Sequence, residues 1–211
     1  MLCGFTSISK GGVMTFATSV ELLKFHTVAY TIYALLIISV IAWFAYNLTR
    51  KEKAKTAVRI PFYGYIAFLV AGGVGHHIFT YNAIPWVSQD IMRHEIKPDY
   101  VFDIKVHDHK WKFPQLPMKV EAGKKVLFNV STDDLTYGFG LFRQDGTLVT
   151  QMQVIPHHKN DLLWTFNECG KFNVYPTEYS GPAEYDEKGK DLMFVKDAFE
   201  VTGCDEKSAK R

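Results

Sequence analysis

The sequence predicts a membrane α plus all-β protein: a two-helix transmembrane hairpin followed by a β-sandwich. Three observations carry that prediction. Two long stretches without a formal charge occupy much of the first 86 residues, a strongly basic segment separates them, and apolar and polar residues alternate with period two from residue 100 onward. The mean hydropathy of −0.05 averages two unlike halves and describes neither.

The first stretch is VAYTIYALLIISVIAWFAYNL, residues 28–48, close to the twenty or so apolar residues a helix needs to cross the hydrocarbon core. It follows an N-terminal segment, residues 1–27, and has no small-residue cleavage site at its end, so it reads as a retained helix rather than a signal peptide. The second stretch, IPFYGYIAFLVAGGVGHHIFTYNAIPW at residues 60–86, carries tyrosines and a tryptophan near its ends, where interfacial anchors belong. A buried core helix is the alternative for either run, and length and lack of charge weigh against it. Together they define a hairpin over residues 28–86. Its loop, residues 49–59, sets Arg50, Lys51, Lys53, Lys55 and Arg59 against the single acid Glu52. Positive charge marks the cytoplasmic side, so both termini and the polar C-terminal half are expected outside, in a periplasm or its organellar equivalent. The net charge of +2 is then mostly a topology signal, and nothing in it points to nucleic acid.

Residues 87–99 form a connector. From Tyr100, Phe102, Ile104 and Val106 share one face and Asp103, Lys105 and His107 the other, as in a half-buried strand. The apolar parity then changes at Trp111 and Phe113, which predicts a bulge or bend around residues 107–110. Further alternating runs cover Val126–Val130, Leu148–Ile155, Leu162–Phe166, Phe172–Val174 and Met193–Val201, the pattern of a sandwich spanning residues 100–203. The tail, residues 204–211, is polar. Cys169 and Cys204 flank the last two strands at the same end, which permits a disulfide in an oxidising compartment; free thiols are the alternative. Cys3 is left over and lies too near the start to be a processed lipoprotein cysteine.

Three segments in order resemble subunit II of the heme-copper respiratory oxidases: VHDHKWKF (106–113), DDLTYGF (133–139) and PTEYSGPAE (176–184). The resemblance implies a cupredoxin-like sandwich and a heme-bearing subunit I as partner. It also implies a place for a dinuclear copper centre, whose family pattern is Cys-x-x-x-Cys-Gly-x-x-His with a histidine upstream and a methionine downstream. Laid onto that pattern, the first histidine falls on Tyr137, the two cysteines on Pro176 and Ser180, and the loop histidine on Glu184. Glu178, at the position that binds through its carbonyl, and Met193, displaced by a DEKGK insertion, are the possible remnants. A thiolate-bridged copper pair needs soft sulfur and imidazole donors, so the expectation is no dinuclear copper, no catalytic residue and no cofactor in this chain, with hemes and copper in subunit I. YSGP resembles the copper-free, quinol-oxidising branch, which places the chain in a cell inner membrane beside lipid and quinol. The longer loop GPAEYDEKGKDLM departs from that branch.

The remaining histidines supply the competing reading, an electron-transfer protein with a non-standard copper site. His107 and His109 are two apart and can share a strand face, and His157 and His158 sit in a turn. Exposed or interface histidines are the plainer reading. His76 and His77 in the second apolar run touch either a partner subunit or a quinol head group, or pack beside the glycines with their rings at the interface. His26 is interfacial. Trp111 falls where the family's electron-entry tryptophan lies but has no copper behind it, and Tyr175, Tyr179 and Tyr185 are expected to fill the space of lost ligands. The function predicted is a structural and assembly role beside the heme-bearing subunit of a terminal oxidase; a related nitric oxide reductase is the other option.

Overall fold

The computed structural model describes residues 16, 18–52, 61–182 and 184–204. Cys3, most of the N-terminal segment, loop residues Lys53, Lys55 and Arg59, and the tail beyond Cys204 lie outside the described residues. The chain divides into two units, Met1–Pro85 and Trp86–Arg211.

The first unit holds helices α1, Ser19–Thr49, and α2, Phe62–Ala83. Both are long and apolar enough to cross a membrane, with mean hydropathies of 2.2 and 1.3, and they leave Leu35, Leu36, Ile41, Phe68 and Val70 exposed. Helix α1 begins nine residues before Val28, where the uncharged run starts. Thr18 caps it by accepting the Glu21 N–H at 3.2 Å, and the Thr-x-x-Glu spacing admits Glu21 and Lys24 into extra turns at its N-terminal end. Helix α2 stops at Ala83 because Ile84, ahead of Pro85, is held extended (φ −112°, ψ 102°). The hairpin closes at this end through the Phe16 N–H on the Ala83 carbonyl (3.1 Å) and Phe25 against Phe79 (ring centroids 6.4 Å).

A short helix α3, Pro85–Ile91, leads into the second unit, whose described residues form nine strands: β1 Tyr100–His107, β2 Lys110–Lys112, β3 Met118–Glu121, β4 Lys125–Ser131, β5 Tyr137–Phe142, β6 Leu148–Val154, β7 Asn160–Thr165, β8 Gly170–Tyr175 and β9 Val195–Thr202. They form a four-stranded sheet in the order β2-β1-β4-β7 and a five-stranded sheet in the order β3-β9-β8-β5-β6. Alternation along β1 and β4 turns Phe102, Ile104, Val106, Val126, Phe128 and Val130 inward. Phe128 is the hub of the core, with ring centroids 5.4 Å from Phe139, 5.6 Å from Phe199 and 6.1 Å from Phe102. The connector is fastened to this unit. Arg93 Nε donates to Asp161 Oδ1 at 2.9 Å, and Trp86, expected as an interfacial anchor, packs on Trp164 with centroids 5.4 Å apart.

The parity change after β1 has a different cause from the expected bulge. Asp108 and His109, at φ 48° and 55°, make a two-residue hairpin turn, and β2 pairs antiparallel with Val106 opposite Trp111 and His107 opposite Lys110. Opposed residues share a face, so an even position continues as an odd one without any extra residue in the ladder. Cys169 and Cys204 form a disulfide with Cα atoms 5.9 Å apart, joining the chain before β8 to the chain after β9.

Candidate functional site

Strand β5 and the β8–β9 connection bring the mapped positions together at one end of the sandwich. Tyr137 opens β5 and is fully buried, because Tyr137, Phe139 and Leu141 form the inward face of this strand, which lies between β8 and β6. The other face of β5 is made of Gly138 and Gly140, and the connection after β8 lies directly on it. A Cβ at Gly138 would stand 2.5 Å from the Glu178 nitrogen and 2.7 Å from the Thr177 nitrogen. Only glycine permits so close a backbone approach. The segment from Pro176 to Ser180 is therefore pressed against the strand that carries Tyr137.

Beyond Ser180 the insertion folds back on itself. Tyr185 and Asp191 form an isolated bridge, and Asp186 Oδ1 accepts the N–H groups of Lys188 and Lys190, both at 2.9 Å. The excursion returns the chain to Met193, which is buried and whose carbonyl accepts the Trp111 indole N–H at 3.0 Å. Trp111 also meets Phe139 edge-on at 5.8 Å, which places it against the core of the sandwich.

Asp134 organises the floor of this region. Its Oδ2 accepts the Tyr137 hydroxyl at 2.9 Å and the Asp108 N–H at 2.8 Å, and its Oδ1 accepts the Thr132 hydroxyl at 2.6 Å. Burial opposes its charge, but these bonds and the Leu135 N–H outweigh burial and hold the carboxyl well below the usual carboxylate range. Burial is also the main reason the Tyr137 phenol is pushed up to about 12, reinforced by the adjacent Asp134. Tyr137 is thus a neutral, immobilised phenol with a hydroxyl already committed to a carboxylate.

His109, expected at the surface, is the residue that occupies this region. Its side chain is only 13% exposed, its ring stands edge-on to Tyr137 (centroids 5.8 Å, planes at 83°), and its backbone N–H donates to the Tyr137 oxygen at 3.3 Å. Its Nε2 lies 3.0 Å from the Ser180 carbonyl oxygen, and its Nδ1 lies 3.7 Å from Glu184 Oε1. The three tyrosines expected to fill the space do not do so; Tyr175, Tyr179 and Tyr185 are 41%, 86% and 63% exposed. The two histidines that could have shared a strand face separate, because His107 ends β1 while His109 sits in the turn. His107 Nδ1 instead donates to Asp133 Oδ1 at 2.7 Å.

The donors at the mapped positions are a phenol at Tyr137, a hydroxyl at Ser180, a carboxylate at Glu184 and the thioether of Met193; Pro176 offers none, and the Glu178 side chain is exposed. None is a thiolate or an imidazole, the donors a delocalised copper pair requires, so this set does not fit that group. Among the described residues, His107, Asp133 and Asp134 form one group with metal-ligating atoms in mutual reach, and Asp108, His109 and Glu184 form another. His157 and His158 belong to neither group; both are exposed, with His157 at φ 61°. A surface cleft of about 450 Å³ lined by Lys105, Lys112, Phe113 and His158 contains none of the mapped positions. His76 and His77 are exposed on α2, their rings 5.9 Å apart. His26 Nδ1 lies 3.0 Å from the Leu22 carbonyl oxygen.

No protein-family model and no curated protein matches the sequence. Among solved structures, the periplasmic domain of subunit II of cytochrome oxidase (CoxB) of Bradyrhizobium japonicum is similar at 16% identity, covering 51% of this chain and 86% of that one, with a TM-score of 0.38. A chain of a heme-copper terminal oxidase dimer is similar at 16% identity over 86% of this chain and 99% of that one, with a TM-score of 0.37. Auracyanin B is similar at 8% identity over 51% and 92%, with a TM-score of 0.36. The class of protein defined here, two apolar helices followed by a two-sheet β-sandwich, rests on the chain's own elements.

Proposed function

We propose that the chain is a copper-free subunit II of a quinol-oxidising heme-copper oxidoreductase, anchored by α1 and α2 in a cell inner membrane with the sandwich on the outer side. The observation that carries this reading is the set of side chains at the site. Tyr137, Ser180, Glu184 and Met193 lie on β5 and the β8–β9 connection, and His109 packs among the first three through contacts to each. A phenol bound to Asp134 and a buried imidazole bound to a backbone carbonyl give this region a packing role in place of an electron relay.

On this reading the chain takes no part in the chemistry. Electrons enter the heme-bearing subunit from quinol within the membrane, and the sandwich supports and shapes that subunit's outer face. The basic residues Arg50 and Lys51 after α1 fix the hairpin with its loop inside. Purified intact complex should turn over with quinol and show no rate above background with reduced cytochrome c. Robust oxidation of cytochrome c at low ionic strength, where docking is favoured, overturns the assignment. The acceptor consumed in the same assay, oxygen or nitric oxide, separates a terminal oxidase from a nitric oxide reductase.

A further inference from the structure

His109 carries a donor atom that the protein leaves unused. Its Nε2 faces the Ser180 carbonyl at 3.0 Å, and a carbonyl oxygen only accepts, so Nε2 bears the proton and donates. In the neutral ring the other nitrogen, Nδ1, then presents a lone pair. That atom is buried and has no hydrogen-bond partner. What it faces is another electron-rich atom, Glu184 Oε1, at 3.7 Å. Asp108, His109 and Glu184 each offer one donor atom, a carboxylate oxygen, a ring nitrogen and a carboxylate oxygen, and the three lie within 4.8 Å of one another. Two lone pairs opposed in a partly buried space repel unless a positive charge lies between them, and 3.7 Å is beyond hydrogen-bond reach.

We propose that Asp108, His109 and Glu184 form a mononuclear binding site for a divalent transition cation, with zinc as its natural probe. Two ligand atoms at about 2.0–2.1 Å from a tetrahedral zinc stand about 3.3–3.4 Å apart, so the His109–Glu184 pair needs to close by only a few tenths of an ångström. Glu184 and Asp108 have the freedom to do so, at 45% and 63% side-chain exposure. An imidazole that donates its other N–H to a backbone carbonyl is held in the tautomer and orientation that metal-binding histidines use. One nitrogen and two carboxylates leave a fourth position for water. Lys110 Nζ, 3.3 Å from Asp108 Oδ2, is the resident counter-charge that the ion displaces.

The neighbouring group lacks this feature. His107 Nδ1 is already satisfied by Asp133 at 2.7 Å, and the oxygens of Asp134 are taken by Thr132, Tyr137 and the Asp108 N–H. The bound ion clips the β1–β2 turn to the β8–β9 connection, two segments about seventy residues apart that the His109–Ser180 hydrogen bond already joins. The site goes beyond the copper-free reading and stands or falls without it.

The test uses the full-length chain in detergent, stripped with chelator and titrated with zinc, with bound metal quantified after dialysis and the thermal midpoint recorded in parallel. The expected result is one saturable zinc per chain and a raised midpoint. Removing a ligand should weaken binding at least as much as removing a supporting group does, roughly 10–100-fold, in Glu184→Gln and His109→Gln. His107→Gln should bind as the native chain does. Glu184 is half exposed, so Glu184→Gln decides the matter if His109→Gln fails to fold. Absence of saturable zinc, or undiminished binding by Glu184→Gln, overturns the proposal. A midpoint that rises on acidification and ignores zinc also overturns it, since a proton on Nδ1 then fills the gap. Quinol turnover of the complex is a separate readout, so failure of this site and failure of the functional assignment cannot be confused.

Discussion

Gly138→Val should destabilise the sandwich by about 3 kcal/mol or more, one of the largest effects expected of any single substitution here. The new Cβ alone would meet Thr177 Oγ1 and two backbone nitrogens, those of Glu178 at 2.5 Å and Thr177 at 2.7 Å. A side-chain tip could rotate away, but backbone cannot. The segment Pro176–Ser180 must lift from β5, which withdraws the Ser180 carbonyl from His109. The denaturant midpoint of the full chain, followed by sandwich tryptophan fluorescence, reads the loss. A native midpoint would show that the connection is not packed on β5 as described. At Gly140 an added Cβ would meet side chains first, Thr177 Cγ2 at 2.5 Å and Phe142 Cε2 at 2.8 Å, with the Tyr175 carbonyl oxygen at 3.1 Å.

Asp134→Ala should cost about 3 kcal/mol near neutral pH, because it leaves the buried Tyr137 hydroxyl and the Asp108 N–H without their acceptor at once. Tyr137→Phe should cost about 1–2 kcal/mol, since Asp134 keeps its other donors and the loss is confined to the Tyr137 hydroxyl bond and the long 3.3 Å bond it accepts from the His109 N–H. The pH dependence separates charge from packing. Asp134 has a folded pKa depressed below its ordinary value of 3.8, so its contribution is fully present above that value and is lost as pH falls through the range below it. The native chain should therefore lose stability steeply below about pH 4, and Asp134→Ala should lose less over the same interval. Parallel acid profiles for the two proteins would show that Asp134 does not carry this network. Asp161 contributes in the same direction: burial disfavours its charge, but Arg93 and Lys159 outweigh burial and lower its pKa.

The parts of the fold legible in the sequence are those where one physical signal acts alone. Period-two patterning marks β1 and β4 because one face of each is dry, and uncharged length marks α1 and α2. Strand β5 escapes that signal. Its alternate positions are glycines, and the face they make is covered by the Pro176–Ser180 segment, so every residue from Tyr137 to Leu141 is buried and no alternation shows. The helix extension to Ser19 escapes because a capping pair, Thr18 and Glu21, overrides the charge count. The site was half legible. Tyr137, Pro176, Ser180 and Glu184 are placed by motif spacing, and the structure lays them on β5 and the loop pressed against it. His109 was not, because a period-two reading carries β1 straight through a turn. The available signal was the parity change itself: an Asp-His pair at that point, with residues that tolerate positive φ, fits a two-residue turn as well as a bulge. Tyr175, Tyr179 and Tyr185 were expected to fill the space of lost ligands, yet the ring that enters it is the His109 imidazole, which the Ser180 carbonyl holds through Nε2.

The central claim is that this chain transfers no electrons through a copper pair, and spectroscopy of the purified complex tests it most directly. Oxidised complex, with metal quantified per heme, should contain only the copper of the catalytic subunit and show neither a near-infrared mixed-valence band nor a multiline paramagnetic signal. A mixed-valence signal with two additional coppers per complex, lost on Tyr137→Phe or Glu184→Gln, would contradict the account.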